Sequence, residues 1–391
     1  MGGDTAFAVA LAGTLFFTVP STEARQNVAL YLVLTLAPFA VIGPLLGRVF
    51  ERSPGAYRSG LVVSALGRVV VALLMIPFAD SLLLFPLAFA LLVLSRFSGI
   101  SRSSVLPVVV RNAEELVDAN SRLARIGVLA GAVVVPVSAV LVALIGAWPA
   151  LVIAVVLYVV SAFTAVQLPP IPKDQRRPAS KDAKRAQPPR RIRLARFATA
   201  GVRFLNGYLL LLVAFAFQDS DAGVLSLSAL IAAAGVGYYL AAVVAPTVGS
   251  FVREEPMVVA ALAIEAMAAF LAAQAFSLAA AAVLVAAAGF AWGTAKFGFD
   301  GMLQTAMPAE TRGRAFTVSE TVFQIAWVIG ALIPVLPFWP TELGLASAGV
   351  LALIIQVVYV TLVLLPEAAR WSRKEPPPSS GDDGEGVLDL L

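Results

Sequence analysis

The sequence predicts an all-α membrane protein with twelve transmembrane helices in two six-helix halves, and three observations carry that expectation. Of 391 residues, 60% are hydrophobic and only 13% are charged, whereas a soluble domain carries about 25% charged residues. Mean hydropathy is +0.89. Apolar residues gather in twelve stretches of the length that crosses the hydrocarbon core as a helix, about 20 residues. Positive charge alternates between successive connections, as it does when loops lie on opposite sides of a membrane.

The segments are 4–19, 27–47, 60–79, 82–106, 123–146, 149–167, 199–217, 225–251, 257–276, 278–306, 315–336 and 343–365. Turn-forming residues separate them, as at Pro20-Ser21, Ala79-Asp80-Ser81, Trp148-Pro149 and Asp219-Ser220-Asp221. Segment one is short, begins almost at Met1 and is too uncharged at its front for a signal peptide. Residues missing ahead of it are expected.

Connections after even-numbered segments carry Arg48, Arg52, Arg58, Arg102, Arg111, Arg122, Arg125, Arg253, Arg312 and Arg314. Those after odd-numbered segments carry Arg25 alone among Lys and Arg, with Glu23, Asp80, Asp219, Asp221 and Glu342. Both termini are therefore expected in the cytoplasm. Alanine-rich helices with Arg favoured over Lys point to a bacterial gene, and so to a multi-pass protein of the inner (cell) membrane.

Four regions follow: a six-helix bundle over 1–167, a linker over 168–196, a second bundle over 197–366 and a disordered cytoplasmic tail over 367–391. The linker holds six prolines and ten cations, Lys173 to Arg196, against Asp174 and Asp182. Such a segment cannot bury a core and is expected to be flexible, on the cytoplasmic side, near anionic lipid headgroups. No aromatic residue is interleaved, which argues against nucleic acid. The halves repeat weakly: aligning Pro107 with Pro308 brings Arg111 opposite Arg312.

The chain has no Cys and no His, which excludes thiolate and imidazole metal sites and Cys- or His-dependent catalysis. Proton traffic must then fall to Asp or Glu. No phosphate-binding glycine loop ending in Lys-Ser/Thr is present, which argues against ATP hydrolysis. Neither an enzyme activity nor a cofactor or metal is expected.

GPLLGRVFERSPGAYR, between segments two and three, supplies Gly47, Glu51, Arg52 and Arg58; PAETRGRAF, after segment ten, supplies Pro308, Arg312, Gly313 and Arg314. With these motifs the chain resembles the major facilitator superfamily along nearly all its length, the second motif resembling bacterial drug- and metabolite-efflux members. The resemblance implies alternating access, a gating role for Gly47, Glu51, Arg52, Arg58, Arg312 and Arg314, and a cavity lined by helices one, four, seven and ten. Glu51 replaces the family's usual Asp. Segment five, IGVLAGAVVVPVS, lacks the Gly-Pro pair of drug antiporters; its Gly127 and Gly131 are read as a close helix contact.

A charge inside a membrane helix needs a partner or water. Asp4, Glu265, Asp300 and Glu320 are the proton-coupling candidates; Arg68 is read as snorkelling or structurally paired. Lys296, Asp300 and Gln304 share one helical face by their four-residue spacing. That stripe is either a cavity wall or an internal helix salt bridge. Arg96, Lys296, Gln304, Asn206, Gln218, Gln324 and Trp292 are the substrate-cavity candidates, with interhelical hydrogen bonds or packing as the alternative for the uncharged ones. The cavity is expected to be lightly charged, which favours a lipophilic or zwitterionic substrate. The expected function is proton-coupled export of a small amphipathic or lipophilic compound by a monomer among membrane lipids. A lipid or lysolipid transporter and a transport-inactive scaffold for an envelope protein are the alternatives.

Overall fold

The computed structural model describes residues 1–15, 57–78, 81, 83–110, 116–168, 188–217, 223–251, 253–336 and 340–365. Eleven α-helices lie among them: α1 (Gly2–Leu15), α2 (Tyr57–Met75), α3 (Leu84–Val109), α4 (Leu116–Ile145), α5 (Trp148–Gln167), α6 (Arg190–Ala216), α7 (Gly223–Phe251), α8 (Glu254–Gln274), α9 (Leu278–Ala306), α10 (Ala309–Leu332) and α11 (Thr341–Tyr359). They match segment one and segments three to twelve. Segment two, Glu51, Arg52 and the tail lie outside the described residues. Nine of these helices, all but α1 and α3, are long and apolar enough to cross a membrane.

The helix starts follow local chemistry. Pro189, Pro308 and Pro340 occupy the N-caps of α6, α10 and α11, and Pro149 sits in the first turn of α5. A proline there loses no hydrogen bond, because the first N–H groups of a helix have no partner inside it. Ser277 caps α9 by accepting from the Ala280 amide. Gly146, with φ +92°, turns the chain between α4 and α5 in the left-handed region open to glycine. α6 begins at Arg190, two turns before segment seven and inside the expected linker. Ile192 and Ala195 are buried there and give those turns an apolar face.

Packing forms two main cores and two smaller clusters among the described residues. α1, α2, α3 and α5 build one around Phe7, Met75, Leu91, Leu151 and Tyr158. α6 to α11 build a larger one, which Ile100 and Val105 of α3 join. α4 packs on α7, and α3 on α10, where the two groups meet. Hydrophobic transfer does not drive helices together in lipid, so close fit must do so. A Cβ at Gly237 would strike the Ala286 carbonyl, and one at Gly289 the Ala234 carbonyl, so α7 and α9 touch backbone to backbone. Gly207 and Gly330 play the same part between α6 and α10. The expected contact at Gly127 and Gly131 differs: Gly127 faces the Met1 side chain, and nothing lies within 4 Å of a Cβ at Gly131.

Two substitutions separate these sites. Gly237→Val should destabilise the purified protein by about 1–3 kcal/mol, the usual cost of overpacking, and Gly131→Val should melt with wild type. Melting curves in detergent check this; equal effects would remove the close-contact account.

Candidate transport cavity

Charged side chains gather in two clusters on facing walls. The first joins α1, α2, α3 and α5. Asp4 sits in the first turn of α1, where the helix dipole favours negative charge. Its carboxylate accepts from Arg68 Nη1 at 3.1 and 3.3 Å, from Tyr158 OH at 3.1 Å and from Ser95 Oγ. Arg68 is only 3% exposed. It also donates to Ser98 Oγ at 2.9 Å and to the Ser64 carbonyl at 3.2 Å, and its guanidinium lies 4.6 Å from the Tyr158 ring centre. A Cβ on Gly3 would approach Tyr158 Cε1 to 2.6 Å, so the ring reaches Asp4 only because residue 3 is glycine. Arg68 is thus structurally paired rather than snorkelling.

The second cluster joins α9 and α10. Lys296 Nζ lies 2.6 Å from Asp300 Oδ2, one turn along α9, and 2.8 Å from Glu320 Oε1 on α10. One ammonium therefore serves two carboxylates. Glu320, at 30% exposure, is the most open of the three; Lys296 and Asp300 are 14% and 8% exposed. Behind them Arg203 of α6 lies 4.4 Å from the Trp292 ring centre and 5.5 Å from that of Trp327, and donates to Asn206 Oδ1 at 3.1 Å.

Between the walls is a cavity of about 500 Å3. Arg96, Lys296, Asp4, Asp300 and Glu320 line it. So do Arg102, Asn120 and Tyr238, which the sequence reading does not place there, and the apolar Phe7, Leu92, Phe297 and Phe316. Six charged side chains correct the expectation of a lightly charged cavity. The sequence groups Arg102 with the connecting arginines, but α3 runs on to Val109 and carries it into the wall. Arg203 stands inside segment seven, where a charge in an apolar run was the signal that it belongs to the interior.

The other cavity candidates stand elsewhere. Gln304 is 1% exposed; it accepts from Asn120 Nδ2 at 2.9 Å and donates to the Ser103 carbonyl at 3.2 Å. It ties α9 to α3 and α4 at the arginine-rich end of the bundle, a contact that would hold the cavity shut there. Trp292 stacks on Arg203, Asn206 binds Arg203, and Gln324 is buried; none of the three lines the cavity. Glu265 is 1% exposed on α8, also away from the cavity, and its carboxylate oxygens have no hydrogen-bond partner among the described residues. Arg58 donates to the Val166 carbonyl and Arg312 to the Met307 carbonyl, while Arg314 is exposed. Gln218, Gly47, Glu51 and Arg52 lie outside the described residues.

A family model described as Major Facilitator Superfamily matches residues 2–331. The chain belongs to the major facilitator superfamily. Members of this family are transporters, so the chain is a multi-pass membrane protein that moves a small-molecule substrate and is not an enzyme. Solved members share its fold. A bacterial homologue of the iron transporter ferroportin, outward-facing, superposes with TM-score 0.65 at 18% identity and covers 92% of this chain and 95% of its own. The human organic anion transporter MFSD10 (TETRAN) gives 0.64 at 15%, with 91% and 89% covered. FucP in the outward conformation gives 0.60 at 12%, with 91% and 95% covered. An uncharacterized protein of Mycobacterium leprae is 29% identical over 92% of this chain and 68% of its own length. One of Mycobacterium tuberculosis is 42% identical over 33% of this chain and 24% of its own length. The chain thus spans about two thirds of the first relative's length and about a quarter of the second's.

The clasp at Gln304 is testable because the chain has no native Cys. In an Ala124→Cys background, an impermeant maleimide applied from the arginine-rich end should react about tenfold faster once Gln304→Ala is added, the effect of about 1.4 kcal/mol lost from the closed form. Unchanged labelling would mean the contact does not hold that end shut.

Proposed function

We propose that the protein is a secondary active transporter of the inner (cell) membrane that exports a small amphipathic compound in a proton-coupled, alternating-access cycle. Residues 1–167 and 197–366 are its two rocking halves, 168–196 the cytoplasmic linker and 367–391 a cytoplasmic tail. Both termini face the cytoplasm, as the arginine distribution requires, and the working unit is a monomer among membrane lipids. The reading of export draws on the efflux-type motif around Arg312 and Arg314. Glu51 and Arg52 supply the cytoplasmic latch that this motif family implies.

One observation carries the reading: two carboxylates share Lys296 on the wall of a cavity large enough for a drug-sized molecule. Asp300 is the proposed proton carrier and Glu320 its partner. A neighbouring cation and burial act on a carboxyl in opposite senses. A change in either as the halves rock therefore changes how tightly the proton is held. Coupling needs only that protonation and substrate bias the two states differently. Asp4 is less suited, because Arg68, Ser95 and Tyr158 already hold its carboxylate. Phe7, Leu92, Phe297 and Phe316 beside these charges suit an amphipathic substrate.

Two experiments test this. Asp300→Asn in proteoliposomes should abolish the dependence of flux on a pH gradient while substrate binding persists; full gradient-driven accumulation would remove Asp300 as carrier. A Cys at position 185 should resist impermeant maleimides in intact cells and react after lysis. Labelling from outside would reverse the proposed orientation.

A further inference from the structure

The charges around the cavity do not balance. The side chains of Arg68, Arg96, Arg102, Arg203 and Lys296 face or back it, against Asp4, Asp300 and Glu320. The lining itself holds three cations and three carboxylates, and Arg68 and Arg203 behind it add two positive charges among the described residues. Segment two, outside the described residues, contains no Asp, Glu, Lys or Arg between 27 and 47. Asp4 is held by Arg68, and Asp300 and Glu320 by Lys296. Arg102 differs: among the described residues no carboxylate stands within ion-pair distance of it. It is half-buried on the cavity wall, within electrostatic reach of Tyr238, Asp4 and Asp300.

A half-buried guanidinium with no carboxylate of its own is a ready receptor for an anion, because its forked N–H groups match carboxylate, sulfonate or phosphate oxygens. Tyr238, on α7, lines the same cavity and carries a hydroxyl, and its ring leans on Phe297 at 5.7 Å between centres. Arg102 on α3 and Tyr238 on α7 come from helices far apart in the chain. An anion held between them would tie those two helices together. The apolar side chains of Phe7, Leu92 and Phe316 share the same cavity.

We infer that Arg102 and Tyr238 form a head-group subsite for an organic anion, so that the transported compound is an amphipath with one carboxylate, sulfonate or phosphate group. This rests on the transport reading and adds the substrate's charge to it. An anion leaving a cell whose interior is negative moves down the electrical gradient, which suits export.

The test uses the purified full chain and three probes with one aromatic body: naphthalene-2-sulfonate, the neutral naphthalene-2-sulfonamide and the cationic naphthalen-2-ylmethylammonium. Only the sulfonate should raise the melting temperature in a saturable way. Arg102→Gln should weaken its binding by about tenfold or more, the weight of a charge-assisted hydrogen bond, and Arg102→Lys, which keeps the charge but loses the fork, should fall between wild type and Arg102→Gln. Should Arg102→Gln fold poorly, Tyr238→Phe, expected to weaken sulfonate binding several-fold, takes its place. Equal shifts from all three probes, no shift from the sulfonate at millimolar concentration, or undiminished sulfonate binding by a folded Arg102→Gln would overturn the subsite. Flux distinguishes the two readings. Sulfonate binding without flux in proteoliposomes would spare the subsite and count against the proposed export of such compounds, whereas flux of the neutral or cationic probe alone would do the reverse.

Discussion

Lys296 between Asp300 and Glu320 is the interaction on which the rest of the cavity depends. An isolated charge inside a membrane helix costs about 2.5–3.5 kcal/mol even on insertion scales, and α9 carries two within one turn. The ammonium meets its own helix at 2.6 Å and the neighbouring one at 2.8 Å. It therefore allows the charges to exist there and fixes α10 against α9. Arg203, held between Trp292 and Trp327, supports the same wall from behind. Facing it, Asp4 and Arg68 do the equivalent work between α1 and α2.

Position along α9 then links the cavity to the clasp at Gln304. Gly289 brings α9 against the α7 backbone, Lys296 and Asp300 face the cavity, and Gln304 clasps α3 and α4. Asp300 and Gln304 are one helical turn apart on the same face. A change in the charge of Asp300 alters the pull on Lys296 and α10. It does so on a helix whose next turn carries Gln304. In the proposed cycle proton and gate would share one rigid element, a physical route for coupling that needs no long chain of intermediates.

Much of this was legible in the sequence. Hydropathy placed the helices, and four-residue spacing placed Lys296, Asp300 and Gln304 on one face. What the spacing left open was what each face meets. Asp4 and Arg68 are 64 positions apart, and Glu320 reaches Lys296 only through the packing of α10, so neither pairing has a local signature. Gln304 was read as cavity lining because its face was right; the approach of Asn120 makes it a clasp instead. Small-residue spacing at Gly127 and Gly131 looked like a tight contact, yet the backbone contacts fall at Gly237 and Gly289, since such a motif marks only one of the two surfaces. The start of α6 was the readable miss: Pro189 followed by Ile192 and Ala195 is a helix start with an apolar face.

The most direct measurement compares the stability of Lys296→Met with that of the triple variant Lys296→Met, Asp300→Asn, Glu320→Gln. If the shared ammonium is what makes the two carboxylates tolerable, the single variant leaves them unpaired and should lose about 3–5 kcal/mol. The triple variant, which has no charge left to pair, should recover most of that loss. A Lys296→Met protein that melts with wild type, or a triple variant no more stable than the single one, would contradict the role given to Lys296.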